Sequence, residues 1–120
     1  MSRKKNRLTG VDALNEAFDA VDHQPLLDHL GVDIQRDLLV LALTHRSFAN
    51  ENGMLPNNER LEFLGDAVLG LSVANKLYEQ YPSSPESDVS KMRASIVSRY
   101  GLADIAREID LGNHILLGKG

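Results

Sequence analysis

The stretch Asn58-Glu59-Arg60-Leu61-Glu62-Phe63-Leu64-Gly65-Asp66-Ala67-Val68-Leu69, continuing to Tyr81, decides the fold of this chain. Leu61, Leu64, Val68, Leu71 and Tyr78 keep helical phase along it, so the spacing predicts one long helix over Asn58–Tyr81. Phe63, Leu69 and Val73 are apolar outside that stripe. A helix with apolar side chains on several sides is either central in a bundle or shared with a second copy, and the excess here predicts a homodimer. Gly65 and Gly70 each cost about 1 kcal/mol relative to Ala inside a helix, which predicts close backbone approach by a neighbour. The plainer alternative is two glycines tolerated in a well-formed helix.

Upstream, Val11, Leu14, Phe18 and Val21 recur at helical spacing, with Thr9 as a cap and Asp12 three residues later. Pro25 suits the first turn of a second helix packed by Leu26, Leu27 and Leu30 and stopped by Gly31. Asp33 is placed to cap a third helix running from Ile34 to His45. Ser47–Asn57, with its Asn, Gly and Pro residues, reads as a polar loop. Downstream, Pro82-Ser83-Ser84-Pro85 turns the chain into a helix carrying Val89, Met92, Ile96 and Val97. Another helix carries Leu102, Ile105, Ala106 and Ile109 and is closed by Gly112. No stretch sustains strand alternation, so the class is all-α, a helical bundle of about six helices.

At 120 residues the chain makes one domain with a modest core. Thirteen Lys plus Arg against 17 Asp plus Glu give a net charge of -4, which speaks against a module holding nucleic acid by a broad basic face. It leaves room for an enzyme that meets phosphate through metal ions, whose charge inverts that of the site. No cysteine is present, so disulfides and thiolate sites are excluded. Residues 1–7 carry four basic side chains and read as a flexible tail, with no apolar run behind them to form a signal peptide. No segment is apolar enough to cross a membrane, and a cytoplasmic location is the expectation.

Glu59, Glu62 and Asp66 stand at i, i+3 and i+7 of the long helix. At about 100° per residue they fall near 0°, 300° and 340°, so the three carboxylates share a band roughly 60° wide. Such a row suits Mg²⁺ or Mn²⁺, hard cations that prefer oxygen ligands and keep part of their water. An acidic row near a helix start can also simply face solvent, where the dipole favours it. Its neighbours Leu61, Phe63, Leu64, Val68 and Leu69 predict a border with apolar packing instead. Glu86 and Asp88 open the next helix, where acids are common. His45-Arg46 reads either as a basic helix end or as a pair that positions the loop ahead of the acidic row. His23, His29, His45 and His114 form no ligand set. Lys91 and Arg93 lie about 200° apart on their helix and cannot both meet phosphate from one face.

The dozen residues Asn58–Leu69 strongly resemble the signature helix of the ribonuclease III family. Ala42-Leu43-Thr44-His45-Arg46-Ser47, Met92-Arg93-Ala94, Leu102-Ala103, Leu111-Gly112 and Leu117-Gly118 resemble further family segments. The likeness spans about residues 20–120. It implies an all-α ribonuclease III endonuclease domain, 8–120, working as a homodimer on double-stranded RNA. Products with 5′-phosphate and 3′-hydroxyl ends, in rRNA and mRNA processing, follow from the same resemblance. It also implies that Glu62 and Asp66 are ligands of Mg²⁺ (or Mn²⁺) and that Glu59 lies near the scissile RNA. Glu86 matches a further catalytic acid. The family has an additional Asp and Glu three residues apart on a later helix, and a separate module that holds duplex RNA. Neither has a counterpart before Gly120, so the expectation is a partial catalytic domain, inactive by itself. A catalytically silent RNA-binding relative and a pure homodimerisation module are the competing readings; retention of Glu59, Glu62, Asp66 and Glu86 together favours the enzyme.

Overall fold

The computed structural model describes residues 10–120, so the tail at 1–7 and the Thr9 cap lie outside the described residues. Seven α-helices follow one another there: α1 (Gly10–Asp19), α2 (Gln24–Leu30), α3 (Arg36–Leu43), α4 (Arg46–Glu51), α5 (Glu59–Gln80), α6 (Glu86–Ile96) and α7 (Arg99–Glu108). A 3₁₀ turn, Leu111–Asn113, comes after them. The all-α expectation stands, and the ladder-like pairing found among the described residues is an isolated parallel bridge between Thr44 and Leu116. The described chain forms two compact units, residues 10–59 with 110–120, and Arg60–Ile109.

The first unit holds most of the buried apolar residues. Phe18, Leu26, Leu39, Val40, Leu43, Ala49 and Leu116 are all buried. Gly31 ends α2 in the left-handed region, at φ 72°, and its N–H reaches back to Leu27 O and Asp28 O. That geometry carries little strain without a Cβ. Arg36 grips Asp19 with both guanidinium nitrogens, at 2.6 and 3.1 Å, and lies 4.9 Å above the Phe18 ring. The Arg36 hydrogen bond holds the Asp19 carboxyl below its ordinary range.

Three upstream expectations are corrected. The third helix starts at Arg36, because Gln35 is extended and Asp33 makes no cap. It ends at Leu43, because Thr44 and His45 are both extended. Half of the expected loop at Ser47–Asn57 is helix α4, and His45 caps its N-terminus rather than closing a helix as a basic C-cap. The His45 side chain accepts the Ser47 N–H, which supplies the partner that a first-turn donor lacks. Downstream, Gly112 does not close the last helix. α7 ends at Glu108, Asp110 turns left-handed at φ 58°, and Gly112 lies in the 3₁₀ turn.

Two buried histidines link distant parts of the first unit. The Nδ1 atoms of His23 and His114 are 2.9 Å apart, and His23 Nε2 lies 2.9 Å from Phe18 O. A carbonyl only accepts, so His23 carries its proton on Nε2. Its Nδ1 then accepts from His114 Nδ1–H when both rings are neutral. Burial, and then the neighbouring His23, hold His114 below the ordinary histidine value of 6.5; Asp110 and Asp22 pull weakly the other way. The unfolded chain therefore takes up this proton at higher pH than the folded chain. The contribution to stability is complete above pH 6.5 and shrinks as pH falls toward the depressed folded value. We expect the urea midpoint to be lower at about pH 5.5 than at about pH 7.5, and His114→Gln to narrow that difference. An unchanged pH dependence in His114→Gln would contradict this account.

Candidate functional site

α5 starts where the sequence provides a local stop for the preceding chain. Asn57 Oδ1 accepts the Glu59 N–H at 3.0 Å, satisfying one of the donors that a helix start leaves free. From there the helix is unbroken for 22 residues. Glu59, Glu62 and Asp66 therefore keep the helical spacing that puts them on one side. All three are exposed.

Exposure corrects two expectations. The acidic row borders less apolar packing than expected: of the neighbours named, Leu61 and Leu69 are half-buried, while Phe63 is 83% exposed, Leu64 59% and Val68 56%. Of the 22 residues only Leu77 is fully buried. No atom comes within 4 Å of where a Cβ would sit at Gly65 or Gly70, so the close neighbour expected there is not supplied by the described chain. The stripe that helical phase picks out is real as a pattern. Its middle members Leu64, Val68 and Leu71 are left more than half exposed among the described residues.

Glu59 belongs to the first unit, where Arg46 of α4 approaches its Oε2 at 3.5 Å. Both side chains are more than half exposed, so the pair contributes at most about 1 kcal/mol and acts mainly on orientation. The positioning reading of His45-Arg46 concerns the loop ahead of the acidic row, whereas Arg46 meets Glu59, the first acid of the row itself. His45 instead bonds to Ser47, with Nδ1 2.7 Å from Ser47 Oγ, and Ser47 Oγ accepts the Gly118 N–H at 2.8 Å. Sequence spacing carries no sign of either long-range partner.

Glu62 and Asp66 belong to the second unit and lie one turn apart, about 40° around the helix. Their donor chemistry fits a hard divalent cation, as two oxygen ligands of a larger set. Among the described residues, no group of three His, Cys, Asp or Glu side chains comes together to hold a metal. Glu86 stands elsewhere in the same unit, as the first residue of α6. Ser90 Oγ–H donates to Glu86 Oε2 at 2.6 Å, a contact readable in the sequence as an i, i+4 pair. Glu86 edges a cleft of about 240 Å³ with Ala74, Leu77, Tyr78, Val89 and Arg93. Eight residues of helix separate Asp66 from Ala74, a rise of about 12 Å. The structure thus keeps Glu86 beside the far half of α5 and does not bring it to Glu62 and Asp66. Arg93 shares the cleft with Glu86, whereas Lys91 does not line it, in keeping with their opposed directions on α6.

The comparisons with known proteins agree on one family. A family profile described as Ribonuclease-III-like matches residues 35–120. Ribonuclease 3 of Corynebacterium efficiens is 87% identical over 120 residues, covering 100% of this chain and 49% of that protein. Ribonuclease 3 of Mycobacterium tuberculosis is 59% identical over 100 residues, covering 81% of this chain and 42% of that protein. The chain spans about half the length of the curated relatives it matches. The nuclease domain of ribonuclease III from Campylobacter jejuni has the same fold, with a TM-score of 0.71 at 40% identity over 82% of this chain and 66% of that one. No described helix is long and apolar enough to cross a membrane. A profile covering most of the chain, close relatives along all of it and a solved nuclease domain of the same all-α fold lead to one conclusion: the chain belongs to the ribonuclease III family, as an N-terminal catalytic domain.

Proposed function

We propose that this domain serves a divalent-metal-dependent endoribonuclease that cuts double-stranded RNA to 5′-phosphate and 3′-hydroxyl ends, in the processing of rRNA and mRNA. The observation that carries the reading is the solvent-facing carboxylate pair Glu62 and Asp66, one turn apart on an unbroken helix whose sequence matches the family signature. An exposed pair is open both to a metal ion and to a polyanion as large as an RNA duplex. Glu62 and Asp66 would hold Mg²⁺, or Mn²⁺ in its place, with water and further groups completing the ligand set. When bound, the ion supplies an activated water and neutralises charge on the phosphate. Glu59, oriented by Arg46, faces the RNA near the cut strand, where a carboxylate can order water or a 2′-hydroxyl. The intact protein should cut an RNA duplex in Mg²⁺ and spare single strands and DNA duplexes. Cutting that persists undiminished in EDTA would contradict the metal role.

A homodimer is part of the same proposal. Leu64, Val68 and Leu71 on one side of α5, with Phe63 further round, are large apolar side chains left more than half exposed, the kind of surface that a partner covers. In the C. jejuni nuclease domain, a region is involved in dimer formation. Sedimentation of the intact protein at micromolar concentration should give the dimer mass, and Phe63→Glu should shift it to the monomer. A monomer mass for the wild type would sink this part of the proposal.

A further inference from the structure

Asn58, the residue ahead of α5, is fastened twice to the end of α3. Its backbone N–H donates to Thr44 O at 3.0 Å, and its Nδ2–H donates to Ala42 O at 2.9 Å. Ala42 lies in the last turn of α3, where carbonyls have no partner inside the helix. The point of attachment is rigid. Thr44 is fully buried, and its Oγ1–H donates to Val40 O at 2.6 Å. The Leu116 segment brackets it, with Leu116 N–H donating to Leu43 O at 2.8 Å and His45 N–H donating to Leu116 O at 3.0 Å. One residue further along the chain, Glu59 is met by Asn57 at its N–H and by Arg46 at its carboxylate.

We propose that Asn58 is a positioning residue for cleavage, its side-chain amide fixing Glu59 by tying the start of α5 to the end of α3 at Ala42 O, beside the buried node at Thr44. The proposal rests on the functional reading above and goes beyond it, because Asn58 touches neither metal nor RNA in that reading. The amide of Asn58 supplies a donor to Ala42 O, on a side chain short enough to leave its own N–H free for Thr44 O. An aspartate at this position would have the same shape but set an acceptor against an acceptor. Without the side-chain tie, the start of α5 keeps the Asn58 N–H on Thr44 O, the Asn57 contact and an exposed ion pair, and Glu59 loses the second anchor that fixes its place.

The test is a double-mutant cycle in the intact protein, read as single-turnover cleavage of an RNA duplex at saturating Mg²⁺. Asn58→Ala should slow cleavage about tenfold, the scale on which small misplacements act, with duplex affinity unchanged. Asn58→Asp should be at least as slow. In a Glu59→Gln background, Asn58→Ala should add less than about twofold, because the residue it positions is already disabled. Asn113→Ala removes an exposed asparagine amide bond in the same unit, a local one to the Asp110 carboxylate, and should leave the rate unchanged. If Asn58→Ala does not fold, Asn58→Gln, which keeps the donor but lengthens its reach, is run through the same cycle. Losses that multiply in the double variant, or a wild-type rate in Asn58→Ala, would overturn the positioning role. Glu62→Gln in the same assay separates the two levels. Full activity there would overturn the functional reading and this proposal together, while a collapse there with multiplying Asn58 and Glu59 losses would overturn the positioning role alone.

Discussion

Glu62→Gln in the intact protein is expected to lower duplex-RNA cleavage at least about a hundredfold, since even partners one shell outside a metal site cost up to that much when removed. The substitution keeps the side chain's size and helix propensity and removes only the charge that attracts the ion. Glu62 is exposed and has little packing to lose, so folding should be unaffected. Relief of repulsion with Asp66, one turn away, should leave the metal-free protein as stable as the wild type or slightly more so. RNA affinity should change little, because the phosphate backbone dominates it. Glu59→Gln should slow cleavage less, since that residue is oriented by Arg46 and is not placed as a ligand. Gel assays in Mg²⁺, with filter binding alongside, check all three statements. Near-normal cutting by Glu62→Gln would remove that residue from the site.

The largest expected effect on stability lies in the other unit. Leu26 is 1% exposed, and Leu26→Ala should cost about 2–5 kcal/mol, the range for a buried leucine that leaves a partly collapsed cavity. Leu71, at 72% exposure in the long helix, offers the contrast. Leu71→Ala should stay within about 0.5 kcal/mol at protein concentrations where the chain is monomeric. If the stripe is shared between two copies, that cost should grow with protein concentration, because the lost contact then belongs to the dimer. Urea unfolding at two concentrations measures both variants. Equal costs for Leu26→Ala and Leu71→Ala in dilute solution would contradict the burial described here.

That contrast also marks how far the sequence can be read. Helical phase locates the long helix to within a residue at each end, and it places Glu59, Glu62 and Asp66 on one side. It cannot say what the apolar stripe packs against. Periodicity reports a face, and a face closed by a second molecule reads the same as one closed by the chain itself. Leu64, Val68 and Leu71 have the phase of core residues and are nonetheless exposed. The miss at Arg46–Glu51 has a different cause. A six-residue polar helix has too little periodicity to detect, and its start depends on His45 accepting the Ser47 N–H, a cap outside the usual Ser, Thr, Asp and Asn set. The contacts of Asn58 with Ala42 and Arg46 with Glu59 span 16 and 13 positions, so only tertiary structure reveals them. The buried histidine pair is harder still, with 91 positions between its members. The resemblance to the signature helix named the candidate acids, but only geometry showed that Glu86 lines a cleft beside Tyr78 and Val89, well along the helix from Asp66.

Whether Glu62 and Asp66 hold the divalent ion is tested most directly by equilibrium Mn²⁺ binding, which does not rely on turnover. Electron paramagnetic resonance of free Mn²⁺ should be recorded during titration of the intact wild-type protein, Glu62→Gln, Asp66→Asn and the control Glu79→Gln, a substitution near the other end of α5. Each of the first two substitutions should weaken binding by about tenfold or more, and Glu79→Gln should bind as the wild type does. Wild-type Mn²⁺ affinity in both Glu62→Gln and Asp66→Asn would contradict the assignment of the metal to this pair.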